Sequence, residues 1–116
     1  MSGVVIAVVD DMFFASKIRA VAEAVGVPII FPRNKEALIE KASEARLIVV
    51  DLHNQKMDSM ALAKELKADE RLRPIPILGF FSHVETELQR NALAAGFDRV
   101  LPRSAFSRNL AEILSL

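Results

Sequence analysis

Three carboxylates stand where apolar runs stop. VVIAVVDD, residues 4–11, carries a β-branched run into Asp10 and Asp11, and LIVVDLHNQKMDS, residues 47–59, carries a second run into Asp51. Aspartate is among the side chains least often buried, so runs of this kind deliver the acids to the mouth of a core rather than into it. Carboxylates brought together repel unless a hard divalent cation such as Mg²⁺ neutralises them or one of them takes a proton. The chemistry expected of such a group is that of a metal-assisted acidic site. Asp11 alone would do no more than favour the start of a following helix; three acids at two strand ends need a further account.

The elements that position these acids follow from the spacing of apolar residues. Val4 to Val9 is continuous and β-branched, the pattern of a strand buried on both faces, and Phe14, Ile18, Val21, Ala22 and Val25 then recur at helical spacing. Gly26 stops that helix, Val27 to Phe31 makes a short second strand, and Pro32 with Asn34 opens a second helix through about Ala45. The third strand, Leu47 to Val50, ends in Asp51; Asp58 caps a third helix in which Met60, Ala63 and Leu66 or Lys67 repeat. DERLRP, residues 69–74, reads as a solvated polar turn into a fourth strand, Ile75 to Phe81. SHVE, residues 82–85, has the form of a capping box with Ser82 as N-cap and Glu85 at the third position, opening a fourth helix whose core face is Val84, Leu88, Ala92 and Ala95. Gly96 ends it. Arg99 to Leu101 is a brief fifth strand, and Phe106, Leu110, Ile113 and Leu114 mark a last helix.

Five alternating strand and helix units predict an α/β fold, a doubly wound five-stranded parallel sheet of order 2-1-3-4-5 with helices on both faces. In that order strands one and three are neighbours at the point where the winding reverses, and ligands bind outside the carboxyl ends of the strands there. Asp10, Asp11 and Asp51 are thereby expected to converge on one crevice.

Composition narrows the function classes. The 116 residues are expected to form one domain, residues 1–116 without an output domain, and 52% hydrophobic residues suffice for a compact core. Lys plus Arg and Asp plus Glu number 15 each, which leaves no electrostatic footprint for nucleic acid or an anionic membrane. The absence of cysteine excludes disulfides, thiolate metal sites and cysteine nucleophiles and fits a cytoplasmic location. No apolar run approaches the ~20 residues a spanning helix needs, and no signal-type segment opens the chain.

At these residues the chain resembles the response-regulator receiver family, the CheY-like phosphoacceptor domains. The resemblance runs through VVDD after strand one, VVDLHNQKMDS after strand three, PIPILGFFS on strand four and AAGFDRVLPRS leading into strand five. It implies a flavodoxin-like (βα)5 fold and a phosphorelay role in two-component signal transduction, without enzymatic activity beyond Mg²⁺-dependent self-phosphorylation and dephosphorylation. By position it makes Asp51 the phosphoacceptor, Asp10, Asp11 and Asp51 the metal carboxylates, and the backbone carbonyl of His53 a further Mg²⁺ ligand. It also implies protein partners, a histidine kinase or phosphotransfer protein upstream and an effector downstream, and allows a homodimer. The output surface would carry Arg90, Leu93, Arg99, Arg108 and Asn109.

Departures from the family pattern mark an atypical variant. Phe81 stands where receivers have a Thr or Ser hydroxyl for the phosphoryl oxygen, and it can donate no hydrogen bond. Arg103 replaces the phosphate-contacting Lys and keeps the charge in a planar, forked form. Ser104 follows where a proline is usual, and Val100 takes the place of the switch aromatic. These changes raise an alternative, a phosphorylation-independent pseudo-receiver acting as an interaction or dimerisation module. A weaker one, a cobalamin-type ligand module, comes from the likeness of DLH to the start of an aspartate-x-histidine-x-x-glycine signature, in which Lys56 holds the glycine position. An FMN site lacks a Ser/Thr/Gly-rich phosphate loop after strand one. His53 and His83 read as isolated loop and cap residues. One phenylalanine of each pair, Phe13-Phe14 and Phe80-Phe81, is expected in the core; exposure of Phe13 or Leu93 would indicate a docking surface.

Overall fold

The computed structural model describes residues 3–83 and 85–115, so Val84, expected on the core face of the fourth helix, lies outside the described residues. Its strands are β1 (Val4–Val8), β2 (Ile29–Ile30), β3 (Ala45–Asp51), β4 (Ile77–Phe81) and β5 (Arg99–Pro102). The helices are α1 (Met12–Ala24), α2 (Lys35–Ala42), α3 (Ser59–Ala68), α4 (Thr86–Ala95), α5 (Arg103–Arg108) and α6 (Leu110–Leu114). All strand pairs are parallel and the order is β2-β1-β3-β4-β5, the doubly wound sheet that the alternation of patterns predicts. No described helix is long and apolar enough to cross a membrane.

Side-chain alternation along the strands builds two cores, one on each face of the sheet. Val5, Ala7, Val9, Val49, Leu78 and Phe80 point to the face covered by α1, α5 and α6, where they meet Phe14, Ile18, Phe106 and Leu110. Ile6, Val8, Ile48, Val50 and Ile77 point to the other face, where Leu38 of α2, Leu62 and Leu66 of α3, and Ala92 of α4 cover them. Val5 to Val8 and Ile48 to Val50 are wholly buried, which is why these runs contain no polar residue. Gly79 belongs to the second face, where a Cβ would come within 3.0 Å of Leu52 and Phe97; the missing side chain lets those two close over β4.

Several boundaries differ from the sequence reading for local reasons. β2 is a two-residue edge strand, flanked by Pro28 and Pro32, each of which lacks the N–H a longer ladder needs. β4 likewise begins only after Pro76. β5 extends one residue further, to Pro102. Asn34 caps α2 through the Ala37 amide, but the helix ends at Ala42 and Ala45 already belongs to β3. Val25, expected on the core face of α1, is 37% exposed; the chain reverses at Gly26, with φ of +74°, and re-enters the core at Val27. The last helix is two, divided at Asn109, whose side chain donates to the Ala105 carbonyl. Leu72, read as part of a solvated turn, is buried in the α3–α4 core while the arginines on either side face water. The capping box at residues 82–85 does not form: α4 begins at Thr86, and Glu85 stands at its N-cap without a side-chain bond to the helix. Both Phe80 and Phe81 are buried, whereas Phe14 is buried and Phe13 is 91% exposed.

Candidate functional site

Asp51 is the last residue of β3, opposite Phe80 of β4, and only 7% exposed. Its Oδ1 accepts the His53 amide at 2.9 Å. Burial pushes its pKa up from the usual carboxylate value; the His53 amide, then the His53 and Arg103 charges, work against that, and the Asp10 carboxylate adds to it. The loop after Asp51 is organised by Asn54, which the sequence reading passed over. Its side-chain amide donates to the Asp51 carbonyl at 2.8 Å and to Ser59 Oγ at 3.0 Å. Its Oδ1 accepts the amides of Lys56 and Met57 at 2.9 and 3.0 Å. The available signal was an asparagine three residues beyond a strand end, a residue type that turns the backbone through its own side chain. Asp58 then caps α3 through the Met60 and Ala61 amides, as expected.

Asp10 and Asp11 follow β1, next to β3 at the point where the winding reverses. Asp10 is exposed, and its Oδ2 accepts the Gln55 amide at 2.6 Å, tying the β1 end to the loop after Asp51. Lys56 reaches back, its Nζ 3.4 Å from the Val9 carbonyl. Asp11 is the N-cap of α1: Oδ1 accepts the Phe13 and Phe14 amides at 2.9 and 3.1 Å, and Oδ2 accepts Arg103 Nη2 at 3.1 Å. The Phe14 amide first, and the Arg103 guanidinium next, hold this carboxyl below its usual pKa. Arg103, the first residue of α5, also lies over the Phe14 ring at 3.9 Å from its centroid. That ring is packed edge-on to Phe80, and Phe80 stacks on Phe106 at 4.7 Å, so the guanidinium caps an aromatic cluster rooted in the core.

The two histidines are not isolated. The His53 and His83 rings lie 5.8 Å apart edge to face, and Glu85 Oε2 is 3.9 Å from His53 Nε2, a buried nitrogen with no hydrogen-bond partner. Glu85 is thereby turned toward His53 rather than back onto its own helix. Phe81 closes β4 beside Pro102 of β5, buried, with no hydroxyl to offer the crevice. Val100 pairs with Gly79 and packs into the α3–α4 core. Arg90, Leu93, Arg99, Arg108 and Asn109 are all exposed, on α4, β5 and the α5–α6 junction.

The donors assembled around Asp51 suit a hard cation by type, since carboxylate and carbonyl oxygens are what Mg²⁺ takes. Among the described residues, however, no three carboxylates or imidazoles are already gathered at the spacing of a metal site. Asp11 is engaged on both oxygens and Asp10 on one.

No family model matches the chain, and no curated protein matches it. Solved structures do. A response regulator from Hahella chejuensis superposes with a TM-score of 0.83 at 20% identity, covering 98% of this chain and 93% of that one. The chemotaxis response regulator CheY4 of Vibrio cholerae gives 0.80 at 19% identity, covering 99% and 98%. The receiver domain of a Pseudomonas aeruginosa sensor histidine kinase, with a magnesium ion coordinated in its active-site cleft, gives 0.76 at 20% identity over all of both chains. The chain has the fold of the CheY-like response-regulator receiver domains.

Proposed function

We propose that this chain is an atypical receiver of two-component signalling that takes a phosphoryl group on Asp51. The observation that carries the reading is the placement of Asp51: nearly buried at a strand end, one oxygen held by the His53 amide, with Asp10 and Asp11 on the neighbouring strand end and Arg103 beyond them. The held oxygen fixes the orientation of the carboxylate, so Oδ2 is the nucleophile. In the transfer an oxygen–phosphorus bond forms at Asp51 and the phosphorus–nitrogen bond of a phosphohistidine breaks. The electron pair returns to the donor imidazole, which takes up a proton. Asp10, Asp11, Asp51 and the His53 carbonyl would hold Mg²⁺, which when bound supplies positive charge to the phosphoryl oxygens. Arg103 and Lys56 are the chain's own cations at this crevice, and guanidinium suits phosphate by its forked donors. Exposed Met12 and Phe13, directly after Asp11, offer apolar surface to a protein donor such as a histidine kinase or phosphotransfer protein.

A second reading, the phosphorylation-independent interaction module, is favoured by buried Phe81 and packed Val100. Neither can act as the hydroxyl or the rotating aromatic of a receiver switch. Intact-protein mass spectrometry after incubation with a small phosphodonor and Mg²⁺ separates the two. A single phosphoryl adduct on the wild type, lost in Asp51→Asn, supports the acceptor. No adduct, under conditions that modify an ordinary receiver, leaves the interaction module.

A further inference from the structure

We infer that Arg103 competes with the divalent cation for Asp11, so that metal affinity at this site is set by an arginine within the chain. The inference rests on the reading of Asp11 as a metal-side carboxylate and adds the residue that controls access to it. Asp11 has two oxygens. One is committed to the α1 amides of Phe13 and Phe14, and the other accepts Arg103 Nη2 at 3.1 Å. Mg²⁺ requires a bare oxygen at about 2.0–2.1 Å and near-ideal octahedral geometry. A guanidinium on that oxygen both occupies its lone pair and repels the ion.

Arg103 is also held from its other side. Its guanidinium lies over Phe14, whose ring is fixed by Phe80 and Phe106, so leaving Asp11 means giving up an ion pair that the aromatic face keeps in place. A lysine here would be a flexible point charge with less hold on a ring face, free to point elsewhere. The α1 cap would survive metal binding, because it uses Oδ1 alone.

The test is Mn²⁺ binding, read by paramagnetic resonance of the free ion, in the wild type, Arg103→Gln and Arg103→Lys. Arg19→Gln is the control: Arg19 lines the groove beside Asp10 and lies over the Phe31 ring, and it carries the same charge. Arg103→Gln is expected to bind Mn²⁺ about tenfold more tightly. That is the factor of one exposed ion pair together with one exposed cation–π contact. Arg103→Lys is expected in between and Arg19→Gln within about twofold of the wild type. In the wild type, the Arg103 Nε–H resonance is expected to move along a Mg²⁺ titration as the guanidinium is displaced. Thermal melts without metal establish that each variant is folded, and Arg103→Lys serves if Arg103→Gln is not. Equal or weaker Mn²⁺ binding by the Arg103 variants, an equal gain in Arg19→Gln, or no binding by any of them overturns the inference. No phosphoryl transfer enters the measurement, so failure of Asp51 as an acceptor would leave this result standing and the reverse holds as well.

Discussion

Replacing Phe81 by threonine would restore the hydroxyl that receivers place at the end of the fourth strand, and the structure sets what that change does to stability. Phe81 is 4% exposed at the end of β4, paired with Pro102. Truncating a buried phenylalanine to alanine destabilises by about 3–5 kcal/mol. Threonine keeps one methyl and a β-branched shape that suits a strand, which returns part of this, while its hydroxyl needs a partner in a site that was apolar. The expected loss for Phe81→Thr is therefore about 2–4 kcal/mol, a large share of the ~5–15 kcal/mol that holds a domain together. At roughly 4 °C per kcal/mol for a chain of this size, the midpoint of thermal unfolding should fall by about 8–16 °C. Urea titrations with an unchanged slope give the free energy directly. A loss below about 1 kcal/mol would refute the argument that the ring is there for packing. In the phosphorylated state the variant gains a donor for a phosphoryl oxygen, and its spectra should differ from those of the phosphorylated wild type. Identical spectra would count against Phe81 as the reason a hydroxyl switch is missing.

Three further changes test other parts of the account. Burial raises the Asp51 pKa in the folded protein above its ordinary value of 3.8. The stability tied to protonated Asp51 is thus fully present below that value and lost as pH rises through the folded one. Asp51→Asn should be the more stable protein at neutral pH, with the difference closing on acidification; a variant less stable at neutral pH contradicts the burial argument. Asp58→Ala removes the one carboxylate oxygen that accepts two backbone amides at the α3 N-cap and should lower stability by about 1 kcal/mol in urea, whereas no change would mean that water replaces the cap. Leu72→Ala should destabilise by about 2–4 kcal/mol because Leu72 is 4% exposed within the α3–α4 core; a change within ±0.5 kcal/mol would return it to the solvated turn.

What was legible in the sequence is what one period or one residue type decides. Continuous β-branched runs announced β1 and β3, and the acids at their ends announced the crevice, because a strand buried on both faces admits a carboxylate only where it leaves the sheet. Helix caps that depend on one side chain, Asn34 and Asp58, were also readable. Contacts between distant segments were not. Arg103 and Asp11 are 92 positions apart, and nothing near either residue says that a guanidinium will settle on that oxygen. Ser82 to Glu85 shows the opposite failure, since the local pattern for a capping box is present, yet Glu85 turns toward His53 from another loop. Leu72 sits between two arginines that hide it from any reading by composition, and its burial rests on a core assembled from several distant elements.

The most direct test of the central claim is to phosphorylate the protein with a small donor, reduce it with borohydride and map the product by tandem mass spectrometry. Reduction converts an aspartyl phosphate to homoserine and leaves free carboxylates alone. Homoserine at position 51, and at neither position 10 nor 11, is the predicted result. No conversion, or conversion at Asp10 or Asp11 instead, would contradict the assignment of Asp51 as the phosphoacceptor.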